Sequence, residues 1–218
     1  MIRVAIADDE TLFRSGLSLI VDAQADLEIV AEATDGKGAV DVVRGHRPDV
    51  VLMDIQMPVM DGIAATEEIV RQSLPTRVLM LTTFGLDRNV YAALRAGASG
   101  FLLKTVPPGQ LVEGVRAVAS GDMLLAPTIT RRLIEDWVQR PVTGGDDPRL
   151  TPLTDREREV LTLVAKGLSN AEIASGLHLG EATVKTHLGR VLAKTRCRDR
   201  AQAVVLAYES GLIIPGSD

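Results

Sequence analysis

The chain has a single cysteine, Cys197, among 218 residues. No disulfide can close within it, and no Cys/His spacing suits a structural metal. Long apolar runs are also missing: the longest are strand-sized, which excludes a helix of membrane-spanning length. The opening Met1-Ile2-Arg3-Val4-Ala5-Ile6-Ala7 meets acidic residues at once and lacks the charged leader and small-residue cleavage site of an export signal. A cytoplasmic location with no membrane partner is therefore expected. Neither a G-x-x-x-x-G-K-[ST] loop nor a G-x-G-x-x-G turn occurs, and the first turn that could carry one reads Asp8-Asp9-Glu10-Thr11. Internal repeats, low-complexity tracts and heptad runs are absent as well.

What is present reads as a folded soluble protein, 46% hydrophobic and 24% charged, long enough for two small domains. The net charge of −5 is unevenly spread. Residues 1–120 hold 11 basic against 16 acidic side chains, whereas residues 149–218 hold 10 against 8. Within the rear part Lys185, Arg190, Lys194, Arg196, Arg198 and Arg200 form a compact cationic segment of the kind that meets phosphates.

Up to residue 120 short apolar runs alternate with amphipathic stretches, the pattern of repeated βα units around a parallel sheet. Strands are expected at 2–8, 28–33, 49–54, 77–82 and 100–104, and helices near 11–23, 37–46, 62–73, 87–96 and 107–119. Val50-Val51-Leu52-Met53 and Val78-Leu79-Met80-Leu81 read as strands buried on both faces. Beyond 120 the rhythm changes. Pro127 suits the first turn of a helix ending near Gln139, and Pro141 to Pro148 is rich in breakers. Four helical patterns follow, at 155–166, 170–177, 181–193 and 199–210. The expected domains are residues 1–120, a linker with a helix at 121–149, and a helical domain at 150–218.

In an open α/β sheet, ligand-binding groups gather beyond the carboxyl ends of the strands. Those ends supply Asp8, Asp9 and Glu10, then Asp54, then Thr82 and Thr83, then Lys104. Gathered carboxylates repel one another unless a cation joins them, and hard oxygen ligands suit Mg²⁺ or Mn²⁺. A carboxylate attacking phosphorus needs the phosphoryl charge compensated, which a metal, an ammonium and a hydroxyl each do. Taken singly, a strand-end Asp also serves as a turn or cap residue, Thr82 as a backbone-satisfying hydroxyl, and Lys104 as surface charge. The conjunction points to phosphoryl acceptance.

Asp8-Asp9, Met53-Asp54-Ile55-Gln56-Met57-Pro58 with Asp61-Gly62, Leu81-Thr82-Thr83 and Ala96 to Lys104 together resemble the receiver domain of two-component response regulators over residues 1–120. The resemblance implies a flavodoxin-like α/β fold with five parallel strands in the order 2-1-3-4-5. It also implies Asp54 as phosphoacceptor, Asp8, Asp9, Asp54 and the backbone carbonyl of Gln56 as metal ligands, Thr82 as phosphoryl sensor and Lys104 as its partner. Phe101 holds the family's switch-aromatic position; it lacks a hydroxyl, and a packed strand aromatic looks the same in sequence. The residue after Lys104, often proline in receivers, is Thr105 here, which leaves the isomer of that bond open.

In the helical part, Thr154 followed by Glu157 has the spacing of a capping box. Gly167-Leu168-Ser169 separates the first two helices, and Val184, Leu188 and Val191 are spaced to face inward from the third. Ala182, Lys185, Thr186 and Gly189 then point outward, a surface that a DNA major groove accepts. Glycines at 176 and 180 weaken local helicity slightly. Leu153-Thr154, Arg156-Glu157, Gly167 to Asn170, Ile173-Ala174 and Thr183-Val184-Lys185-Thr186-His187 resemble the LuxR-type helix-turn-helix over residues 150–213. Joined to a receiver, this is similar to the NarL/FixJ class of transcription regulators. The resemblance implies Lys185 and Thr186 near base edges, and Thr183, Arg190 and Lys194 on phosphates. Gly189 replaces a longer polar contact of some relatives, His187 reads as packing residue or contact, and the last helix as core or dimer contact.

The resemblance further implies a histidine kinase as phosphodonor, double-stranded DNA as target and a homodimer when phosphorylated or DNA-bound. It implies no enzyme beyond self-catalysed phosphoryl transfer and aspartyl-phosphate hydrolysis. Two rivals remain at this point: a Mg²⁺-dependent phosphohydrolase, although Asp54 lacks a second carboxylate two residues on, and a DNA binder whose receiver works without phosphorylation.

Overall fold

The computed structural model describes residues 1–83, 87–122, 124–125 and 147–213, and divides into two compact units, 1–129 and 130–218. In the first unit, strands β1 (Ile2–Ala7), β2 (Leu27–Ala33), β3 (Val50–Asp54), β4 (Arg77–Thr82) and β5 (Gly100–Leu103) alternate with helices α1 (Thr11–Asp22), α2 (Gly36–His46), α3 (Gly62–Arg71), α4 (Asp87–Ala96) and α5 (Pro108–Ser120). All paired strands run parallel. The strand order is β2-β1-β3-β4-β5, as expected from the resemblance, but a sixth strand, β6 (Leu124–Leu125), pairs with β5 beyond it. Two residues carry no period, so β6 leaves no trace in the hydrophobic pattern. It falls in the stretch read as linker; the helix expected at 127–139 lies outside the described residues.

Side chains alternate across the sheet. Val4, Ile6, Leu52, Leu79, Leu81 and Leu102 pack with Leu17 and Val21 of α1 and Leu111 and Val115 of α5. Ala5, Val51, Met53, Met80 and Phe101, equally buried, belong to the alternate positions. β3 is buried along its whole length, which is why its sequence reads as one apolar run ending in an acid. Asp35 and Asp61 start α2 and α3 by accepting from Gly38 N–H at 2.8 Å and Ala64 N–H at 2.7 Å.

The second unit comprises α6 (Asp155–Ala165), α7 (Asn170–Leu177), α8 (Glu181–Thr195) and α9 (Arg200–Glu209). Thr154 with Glu157, and Ser169 with Glu172, form complete capping boxes. Gly180 caps α8 without a side-chain bond, and His178 ends α7 in the left-handed region. α9 packs on α6 and α8, and its apolar residues from Ala201 to Ala207 are buried, so it is a core element of the unit. No helix among the described residues is long and apolar enough to cross a membrane.

Candidate functional site

The carboxyl ends of β1, β3, β4 and β5 converge because parallel strands in register terminate together. Asp8, Asp9 and Asp54 thereby bring one carboxylate oxygen each to within 4.8 Å of one another. Asp8 and Asp54 are buried and Asp9 is exposed. From the end of β5, Lys104 extends its Nζ to 2.8 Å from Asp8 Oδ2 and 3.3 Å from both Asp54 Oδ2 and Glu10 Oε1. Beyond this ion pair the buried Asp8 Oδ2 has no partner, so it keeps acceptor capacity. The Phe13 ring lies beneath the same ammonium, 4.6 Å from its centroid.

Burial pushes the Asp54 carboxyl up to about 6; Lys104 opposes the rise and the charge of Asp8 adds to it. Burial works against the charge on Lys104, but the three surrounding carboxylates outweigh it and its pKa is raised. Lys104 is thus a fixed cation. Thr82, buried at the end of β4, donates its hydroxyl to the Thr83 carbonyl at 3.0 Å. Phe101 is fully buried on β5, paired in register with Met80. Gln56 is exposed in the loop after β3. The described backbone has no cis peptide bond, which settles Lys104–Thr105 as trans.

Two residues placed near the site by sequence gain specific roles. Glu10 joins the cage around Lys104, a pairing that depends on how the first loop turns. Gly62, at the start of α3, leaves no room for a side chain: a Cβ there would overlap the carbonyl oxygen of Asp54. Its N–H bonds Ile55 O at 2.9 Å. The signal for Gly62 is the Asp61-Gly62 pair itself, a cap followed by a residue that permits close backbone approach.

In the second unit Val184, Leu188 and Val191 are buried, so α8 faces inward as its periodicity requires. Thr183, Lys185, Thr186, Gly189 and Arg190 are exposed on the other side. Thr186 donates its hydroxyl back to Ala182 O at 2.9 Å, and His187 is half-buried with Nδ1 unpartnered. The cationic segment 181–200 is less uniform than its composition implies. Arg200 is buried and donates to Asn170 Oδ1 at 2.8 Å and to Leu168 O. Lys194 sits 2.6 Å from the buried Glu157 carboxylate. Lys185, Arg190 and Arg196 are exposed, Lys194 is exposed too despite its ion pair, and Arg198 is half-buried.

Residues 4–116 match the response regulator receiver domain family, and residues 151–207 match the bacterial regulatory proteins of the luxR family. The chain is 39% identical over 212 residues to the transcriptional regulatory protein YxjL of Bacillus subtilis, covering 97% of each. It is 38% identical to the response regulator protein VraR of Staphylococcus aureus, over 97% of this chain and 99% of that one. Among solved structures, the response regulator ChrA of a heme-sensing two-component system is 37% identical, with a TM-score of 0.54 over 97% of this chain and 98% of that one. An acid-rich α/β unit followed by a LuxR-type helix-turn-helix along one continuous match leaves a single assignment: the chain belongs to the two-component response regulators of the NarL/FixJ class, which act as transcription regulators.

Proposed function

We propose that Asp54 is the phosphoacceptor and that its modification governs DNA binding by the helical domain. The observation that carries this reading is the buried Asp54 carboxylate held between Asp8, Asp9 and the ammonium of Lys104. The donor is a histidine kinase: an Asp54 oxygen bonds to phosphorus as the bond from phosphorus to the kinase's histidine nitrogen breaks. With a pKa of about 6, Asp54 is mostly ionised near neutral pH and can act as nucleophile.

Three carboxylates around one point, one with unused acceptor capacity, fit a hard divalent cation. Asp8, Asp9, Asp54 and the backbone carbonyl of Gln56 would hold Mg²⁺ or Mn²⁺, which neutralises charge on the transferred phosphoryl oxygens. Lys104 supplies the protein's own positive charge to those oxygens, and Thr82 exchanges its bond to Thr83 for one to the phosphoryl group. Phe101, already buried, responds through packing alone.

The chain divides into a receiver at 1–120, a linker at 121–149 and a DNA-binding domain at 150–218, and works in the cytoplasm. On double-stranded DNA, Lys185 and Thr186 address base edges while Thr183 and Arg190 hold phosphates. Lys194, paired with Glu157, stands apart from these contacts. A homodimer on paired half-sites supplies the length of sequence that one module does not read. Catalysis is confined to self-phosphorylation and hydrolysis of the aspartyl phosphate.

Intact-mass measurement after treatment with acetyl phosphate and Mg²⁺ tests this reading. Wild type gains one phosphoryl group, whereas Asp54→Asn and an EDTA-treated control gain none. An adduct that persists on Asp54→Asn would contradict the assignment.

A further inference from the structure

We propose that Lys194 is a positioning residue, which fixes the recognition helix α8 against α6 through Glu157, and not a phosphate contact; the proposal rests on the DNA-binding reading above. Lys194 Nζ lies 2.6 Å from Glu157 Oε2, and the side chain of Glu157 is only 3% exposed. The same carboxylate oxygen accepts from the Thr154 N–H at 2.9 Å, closing the capping box that starts α6. One atom therefore ties the first turn of α6 to the last turn of α8.

Each charge sits at the favourable end of its own helix, the carboxylate at an N-terminus and the ammonium at a C-terminus. The apolar residues Val184, Leu188 and Val191 hold α8 at its packing distance, but side chains of similar shape in a row restrict sliding and rotation weakly. The ion pair adds a directional restraint at one end. Lys185 lies nine residues back, about 13 Å along the helix, so a small rotation at Lys194 displaces the base-facing residues. The Lys194 side chain is 35% exposed, but its ammonium is already matched by a buried carboxylate and so has little charge left to neutralise a DNA phosphate.

The test uses the full-length chain with beryllofluoride and Mg²⁺, and a DNA duplex selected from a random-sequence pool by the wild type. Affinity is measured against salt concentration for Lys194→Met, Glu157→Gln and the double variant. The amide oxygen introduced by Glu157→Gln remains a neutral capping acceptor, so this variant retains the start of α6 while losing the charge opposite Lys194. Removing a negative charge near a polyanion tightens binding if nothing else changes.

The expected result is the reverse: each single variant binds roughly fivefold more weakly, and the double variant no more weakly than the worse single, as for two residues acting as a unit. The slope of log affinity against log salt stays at the wild-type value, and Lys194→Arg, which keeps a cation opposite Glu157, restores affinity. The proposal is overturned if Glu157→Gln binds as tightly as wild type or more tightly, or if Lys194→Met lowers the salt slope by about one. A pool from which nothing is enriched would overturn the DNA-binding reading and this inference with it.

Discussion

Val59 has a backbone φ of 67° although it is β-branched and 84% exposed. The N–H of Met60 reaches back to Pro58 O at 2.7 Å, making a γ-turn around it, while Gly36 N–H holds Met60 O at 3.0 Å. No side-chain packing compensates for the conformation, and Asn tolerates it better than Val. Val59→Asn is therefore expected to stabilise the receiver by about 1 kcal/mol, read as a higher denaturant midpoint; an unchanged or lower midpoint would contradict the strain argument. Asp54 carries a cost of a different kind. Its folded pKa, about 6, is raised above the unfolded value, so its contribution to stability is present at low pH and lost as pH rises through about 6. In EDTA, Asp54→Asn should be more stable to unfolding than wild type at neutral pH by on the order of 2 kcal/mol, the gap closing toward about pH 4. A pH-independent difference would mean that burial of the charge is not its source. The convergence of Asp8, Asp9, Asp54 and Lys104 is legible in sequence because each directly follows or ends a run with strand character. The pairing of Glu10 with Lys104 and the γ-turn are not, since both depend on loop conformations to which hydrophobic patterning is blind.

Elements read from sequence in proportion to how much of their surface is buried. β3 and β4 are found to within a residue, because strands covered on both faces cannot admit polar residues before their ends. α8 is equally plain: one apolar stripe against a polar face. The composition of 181–200 misleads, however, because charge count carries no information about partners: Arg200 is buried in the domain's own framework, and Lys194 is paired with Glu157. Glu157 shows the consequence at the scale of a helix pair. Bonding to Lys194, reinforced by the Thr154 N–H, lowers its pKa to about 2. Because the folded value lies below the unfolded one, its stabilisation is present above about pH 4.5 and is lost as pH falls through about 2. Far-UV circular dichroism melts across that range should show Glu157→Gln flattening the acid-induced loss of helix relative to wild type. Parallel curves for the two proteins would contradict the pairing.

At the scale of the molecule, two units of different physics share a chain. The first concentrates negative charge at the carboxyl ends of its strands, with Lys104 as the cation among the carboxylates; the second presents Lys185, Arg190, Lys194 and Arg196 to solvent. The division is legible from the change of rhythm near residue 120, whereas the short strand at 124–125 extends the first unit's sheet into what reads as connection. Phosphorylation can regulate only by favouring one conformation over another, so its effect must appear in the DNA affinity of the intact chain. The most direct measurement is that affinity for wild type and Asp54→Asn, each with and without beryllofluoride and Mg²⁺. Wild type alone is expected to bind at least about tenfold tighter when treated, a coupling of about 1.4 kcal/mol. Equal affinities for treated and untreated wild type, with beryllofluoride bound, would contradict it.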